Sequence, residues 1–164
     1  MIFSMSTFDS SSDNLLNNYT VFPQNVGKWE GTVRFLDGDL QELKRYQIAQ
    51  TFAEVVDKWV LTNTYIYPDG ATASQSFDII PTSPGKVKLE VVGENPRFKD
   101  YQLTALEQED NIITFKVINR ATGMPREIET ITFMGENKRI RTATIFTETG
   151  TLQGFLVIKE ERVK

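Results

Sequence analysis

The chain has 164 residues, 40% of them apolar and 24% charged, with a net charge of −4 and an isoelectric point near 5.0. That suits one globular domain able to bury a substantial core, and the absence of a basic run excludes non-specific nucleic-acid binding. No cysteine and no histidine occurs, which excludes disulfides, thiol and imidazole catalysis, zinc sites of the usual type and haem held by a proximal histidine. Any acid, base or electrophile must be Asp, Glu, Lys, Arg, Tyr or a backbone group.

The N-terminus reads MIFSMSTFDSSSDN. It has neither a basic leader nor a long apolar stretch, so it predicts no secretory signal. No run approaches the ~20 apolar residues of a membrane helix, and a cytoplasmic location is expected. Residues 1–24 read as an N-terminal segment. Within it Asp13 is placed to cap a short helix over Asn14–Tyr19, because Leu15, Leu16 and Tyr19 fall at helical spacing; Pro23 should end it.

Residues 25–164 form the domain proper and read as strands separated by turn signals. Trp29–Leu36 alternates, with Trp29, Gly31, Val33 and Phe35 on one face. Asp37-Gly38-Asp39 is a hairpin signal; it hints at calcium but lacks the remaining ligands of a loop site. The strands Leu40–Ala53 and Lys58–Tyr67 follow, then the turn Pro68-Asp69-Gly70. Ala71–Ile80 is closed by Pro81-Thr82-Ser83-Pro84-Gly85. Next come Lys86–Val92, Tyr101–Gln108, Ile112–Asn119, Arg126–Met134, Lys138–Thr147 and Thr151–Val163. That makes ten short strands with hairpin-length loops. No helical pattern after Trp29 is long enough for a parallel crossover. A meander of this length would leave two exposed edges, which closure removes. The expected fold is therefore all-β: a closed antiparallel up-and-down barrel of about 8–10 strands with a short N-terminal helix.

Gly27-Lys28-Trp29 at the head of the first strand resembles the lipocalin Gly-X-Trp signature. Three further stretches narrow the likeness: Asn25-Val26-Gly27-Lys28-Trp29-Glu30-Gly31, Tyr65-Ile66-Tyr67-Pro68-Asp69-Gly70, and Arg139 with Ile145-Phe146, Gly150-Thr151-Leu152 and Ile158-Lys159-Glu160-Glu161-Arg162. Together they resemble a lipocalin-like (calycin) family of unknown function common in cyanobacteria. More distantly the chain is similar to lipocalins and to S-type phycobilin lyases, although the lyases' ring of polar and histidine signature residues is missing. Pericyclic cyclases built on calycin barrels carry no fixed motif to compare. The resemblance implies that Trp29 plugs one end of a barrel and that a late-strand arginine, Arg139 or Arg141, packs over it.

The functional expectation is a barrel that binds a small, largely apolar ligand of fatty-acid, isoprenoid or tetrapyrrole type. The alternative is an enzyme on such a substrate, a cyclase or isomerase or a bilin-lyase-like chromophore transferase; a filled barrel acting through its surface is the third reading. The candidate ligand-binding residues are Trp29, Phe35, Tyr46, Tyr65, Phe77, Phe115, Arg139 and Arg141. Each has a structural counter-reading. Trp29 reads first as a plug, the aromatic residues as plain core, and the arginines as a cap on Trp29 or a solvated face rather than a carboxylate anchor. Glu127 and Glu129 share a strand face as an acid–base pair would, but read first as a solvated outer face. Glu160-Glu161-Arg162 reads as a solubilising strand end. No metal site and no cofactor is expected. The expected partner is a small apolar molecule, with no nucleic acid and no membrane span, and a homodimer is the candidate assembly.

Overall fold

The computed structural model describes residues 15–164. Its body is ten strands: β1 (Gly27–Leu36), β2 (Glu42–Val55), β3 (Lys58–Ile66), β4 (Thr72–Ser83), β5 (Lys86–Val91), β6 (Tyr101–Gln108), β7 (Ile112–Asn119), β8 (Pro125–Phe133), β9 (Lys138–Phe146) and β10 (Leu152–Arg162). Each strand pairs antiparallel with its sequence neighbours, and β10 returns to β1 to close the barrel. Hairpin turns with Gly70, Gly85, Gly135 and Gly150 at positive φ keep the connections short.

Most strand ends fall within two residues of the sequence reading, and the larger departures are these. β4 continues through Pro81 to Ser83 instead of stopping at Ile80. Pairing with β3 ends at Trp59↔Ile79, so Pro81 has no neighbour there needing its missing N–H; on the other side it pairs with Val87 beside a register shift. At the N-terminus the expected short helix takes the form of two 3₁₀ turns, Leu15–Asn18 and Phe22–Asn25. Pro23 begins the second turn rather than ending a helix, as its fixed φ allows. Asp13 and Asn14 lie outside the described residues. A third turn, Pro96–Phe98, which the sequence reading did not contain, sits between β5 and β6, capped by the Asn95 side chain on the Arg97 N–H at 3.0 Å.

The 3₁₀ turns close one end. Leu16, Tyr19, Val21 and Phe22 are buried in the same core as Trp29, Phe52 and Trp59. Phe22 stacks on Trp59 with centroids 5.6 Å apart, and Tyr19 meets the same indole edge-on at 5.2 Å. The Tyr19 hydroxyl donates to the carbonyl of Lys86 at 2.6 Å, and Glu107 accepts from the N–H groups of Val21 and Phe22 at 2.6 and 2.8 Å. Burial and satisfied backbone donors together hold this segment over the barrel floor.

Register fixes how the interior is layered. Gln50, Trp29 and Arg162 share the floor level. Above them lie Gly31, Glu160, Arg139 and Phe133, and then Val33, Ile158, Arg141 and Ile131. Next come Phe35, Leu156, Ala143 and Glu129. Glu127 lies opposite Ile145 at the mouth.

Candidate functional site

The floor is built around Trp29. Its ring is fully buried between two guanidinium groups, Arg139 at 4.4 Å and Arg162 at 4.3 Å from the centroid, and its indole N–H donates to the Asn25 carbonyl at 2.8 Å. Gly27 makes this possible: at φ +129° a Cβ there would stand 2.6 Å from Arg162 Nη1. Arg162 in turn donates to the carbonyls of Val26, Gln24 and Glu136. Trp29 and Arg139 therefore belong to the plug and do not line the cavity.

Arg139 is 1% exposed and fully engaged, donating to Glu160, to the Asn25 side-chain oxygen at 2.5 Å and to the Gln50 side-chain oxygen. Burial, the largest cause, pulls its basicity down to about 10 even though Glu160 partly offsets it. One level up, Arg141 grips Glu129 with two parallel bonds of 2.9 and 3.2 Å and reaches Glu160 at 3.2 Å. Burial opposes the Arg141 charge, but Glu129 and Glu160 more than compensate and hold it firmly protonated. Burial likewise works against ionisation of Glu160, and the two arginines override it, keeping the carboxyl below the usual range. Gly31 admits the chain of Glu160: a Cβ at Gly31 would lie 2.7 Å from Glu160 Cγ and 2.2 Å from the Lys159 carbonyl oxygen.

These facts correct two sequence readings. Glu127 and Glu129 do not form a solvated outer face; Glu129 is 3% exposed and both point into the barrel. Glu160 is fully buried rather than part of a solubilising strand end, while its neighbour Glu161 is exposed. For Glu129 and Glu160 the physical reason is the same, and Glu127 follows Glu129 inward by strand parity. Two buried arginines demand carboxylates, because an unpaired buried charge costs several kcal/mol. A ligand carboxylate would meet Arg139 and Arg141 already occupied.

Above this network lies a chamber of about 190 Å³, opening into a vestibule of about 1320 Å³ at the barrel mouth. Tyr46, Tyr67, Arg97, Phe98, Glu127 and Leu156 line both. The chamber alone is smaller than the ~300 Å³ of an ordinary ligand pocket; the connected space exceeds it. Of the candidates read from sequence, Tyr46, Tyr65, Phe77, Phe115 and Arg141 line the chamber, and Phe35 lines only the vestibule.

The chamber has two unlike walls. Leu61, Phe77, Leu103, Ile113, Phe115 and Val117, from β3, β4, β6 and β7, make an apolar wall. Tyr46, Tyr65, Glu127, Glu129 and Arg141, from β2, β3, β8 and β9, make a polar one. The tyrosine rings form a cluster, Tyr46–Tyr65 at 6.0 Å and Tyr46–Tyr67 at 5.3 Å between centroids. Burial pushes the Tyr65 hydroxyl up to about 12 and raises Tyr46 as well. Burial first, and the Glu129 charge second, push the Glu127 carboxyl up to about 7. Sequence reasoning missed Glu127, Glu129, Glu160 and Arg97 as interior or throat residues. One signal was available for the carboxylates: Glu127 and Glu129 share strand parity with Ile131 and Phe133.

Among the described residues no group of three or more Asp or Glu could hold a metal, and no helix is long and apolar enough to cross a membrane. Residues 16–164 match a family model described as "Domain of unknown function (DUF3598), N-terminal". Among solved structures, a protein of unknown function from the DUF3598 family of Nostoc punctiforme PCC 73102 is similar with a TM-score of 0.65 and 15% identity, over 87% of this chain and 49% of that one. An S-type phycobiliprotein lyase from Guillardia theta is similar with a TM-score of 0.64 and 15% identity, over 87% and 90%. Rv2717c from M. tuberculosis is similar with a TM-score of 0.65 and 14% identity, over 92% and 98%. At these identities the likeness is one of fold, and the chain spans about half the length of the Nostoc protein. No curated protein matches.

Proposed function

The chain belongs to the DUF3598 family, and from that premise we propose that its barrel binds a small, largely apolar molecule, of the size of a fatty acid, isoprenoid or tetrapyrrole, taken in through the mouth. The observation that carries this reading is the two-walled chamber, closed below by Trp29 and the 3₁₀ turns and open above through the vestibule. An apolar wall removes the ligand body from water at roughly 25 cal/mol per Å². The polar wall supplies a few fixed groups that set its orientation. Native mass spectrometry of protein purified from its own host tests the proposal. A bound small molecule is expected, and protein repeatedly isolated empty and unable to take up any apolar compound would refute it.

One feature favours a second reading, turnover of the bound molecule. Glu127 and Glu129 are adjacent carboxyl groups in unlike environments, one locked by Arg141 and one without an ion pair at the throat. A carboxyl whose proton affinity is raised by burial, beside a second carboxyl fixed by an arginine, is how acid–base sites are built. A co-purified compound that is chemically changed on incubation, rather than only retained, would make the barrel an enzyme.

A further inference from the structure

The deep arginines are committed, but the throat is not. Among the described residues no hydrogen bond engages the hydroxyls of Tyr46, Tyr65 or Tyr67, although all three line the chamber. Among the described residues Glu127 has no ion pair, and it lies beside Glu129, whose oxygens are already held by Arg141. The uncommitted groups on this wall are thus phenolic donors beside a carboxyl pair.

Resting on the reading of the barrel as a small-molecule binder, we propose that the throat receives the neutral carbonyl oxygen of an otherwise apolar ligand (ketone, aldehyde, ester or amide), with the hydroxyls of Tyr46, Tyr65 and Tyr67 as donors and Glu127 beside them, and that it disfavours a carboxylate. A phenol O–H donates well, so three open hydroxyls suit a ligand acceptor. A ligand carboxylate would face Glu127 and Glu129 with both deep arginines already paired, and a desolvated like-charge contact is costly. Among the described cations that line the chamber, Arg97 has no ion pair, but it is exposed to solvent, where its attraction is screened.

The site should therefore respond to pH through Glu127. Its carboxyl, held up to about 7, faces Glu129 on its own strand, Arg141 on β9, Tyr46 on β2, Tyr65 on β3 and Arg97 from the β5–β6 turn. Lys44, Arg45, Asp69, Asp100, Arg126 and Glu148 stand further out around the vestibule. Ionisation of Glu127 places a negative charge beside the ligand oxygen and weakens its bond.

Equilibrium dialysis with three probes of matched apolar body tests this: acetylnaphthalene, ethylnaphthalene and naphthylacetate, each at pH 6 and pH 8. Acetylnaphthalene should bind tightest at pH 6 and weaken several-fold, at most about tenfold, by pH 8. Ethylnaphthalene should bind more weakly and independently of pH, and naphthylacetate weakest of all at pH 8. Tyr65→Phe should bring the ketone down to the level of the hydrocarbon. Glu127→Gln should abolish the pH dependence of ketone binding, whatever its affinity; if that variant fails to fold, Tyr65→Phe decides alone. Equal binding of ketone and hydrocarbon would overturn the inference while leaving the cavity reading intact. Tightest binding of naphthylacetate would make Arg97 the anchor and overturn it too. No binding of any probe would sink both readings together.

Discussion

Glu160→Gln removes one negative charge from the fully buried junction between Arg139 and Arg141 while keeping shape and most hydrogen-bonding capacity. In the native barrel Glu160 and Glu129 balance the two arginines, and no side chain of this network is more than 11% exposed. After substitution two guanidinium groups share one paired carboxylate. Removing one partner of a buried ion pair typically costs about 3–5 kcal/mol, because the partner's charge remains uncompensated. With a urea slope of about 2 kcal/mol per molar, the unfolding midpoint should fall by roughly 1.5–2.5 M. Glu161→Gln, one position along on the exposed face, is the control and should change stability by less than about 0.5 kcal/mol. The pH profile should change as well. Glu160 is held below its ordinary range in the folded chain, so its contribution is present above the unfolded value and lost as pH falls through the folded one. The variant should therefore show a shallower loss of stability below about pH 4.5. Equal midpoints for Glu160→Gln and Glu161→Gln at neutral pH would refute the buried charge network.

Trp29→Ala should destabilise the chain by roughly 3–5 kcal/mol, since a buried ring between Arg139 and Arg162 is lost and cannot be refilled; a near-neutral urea midpoint would show that the floor is not a plug. Glu127 carries the opposite pH sign from Glu160. Its folded value of about 7 lies above the unfolded one, so its contribution is complete below the unfolded value and drains away as pH rises through 7, a loss of roughly 2–4 kcal/mol. Glu127→Gln should abolish that loss, which urea midpoints at pH 5 and pH 8.5 would report directly.

The strands were legible in the sequence because period-2 alternation and glycine-bearing turns act locally. Tyr101–Gln108 and Ile112–Asn119 match β6 and β7 end to end. Pro81 misled because its tolerance depends on where a neighbouring strand stops, which is not local information. The short N-terminal helix was legible in place but not in kind: packing of Leu16, Tyr19 and Phe22 on Trp59 favours 3₁₀ turns, which propensity does not specify. In the site, Trp29 with Arg139 was readable from Gly27-Lys28-Trp29 and the closing strand. The inward turn of Glu127, Glu129 and Glu160 was not, because a strand with a charged inner face looks like one with its faces reversed. Parity with Ile131 and Phe133 was the one local hint for Glu127 and Glu129; the need of Arg139 and Arg141 for buried partners, which settles the faces of Glu129 and Glu160, appears once the strands are closed into a barrel.

Fluorescence titration with N-phenylnaphthylamine, a neutral apolar probe, tests the hollow barrel most directly when run on the native chain and on Ala105→Phe. Ala105 is buried on the apolar wall of the chamber, so a phenyl ring there occupies the space the probe needs. Saturable one-to-one binding to the native chain is predicted, with affinity at least tenfold weaker for Ala105→Phe at unchanged β-sheet circular dichroism. Absence of saturable binding to the native chain, or equal affinity for both proteins, would contradict a ligand site inside the barrel.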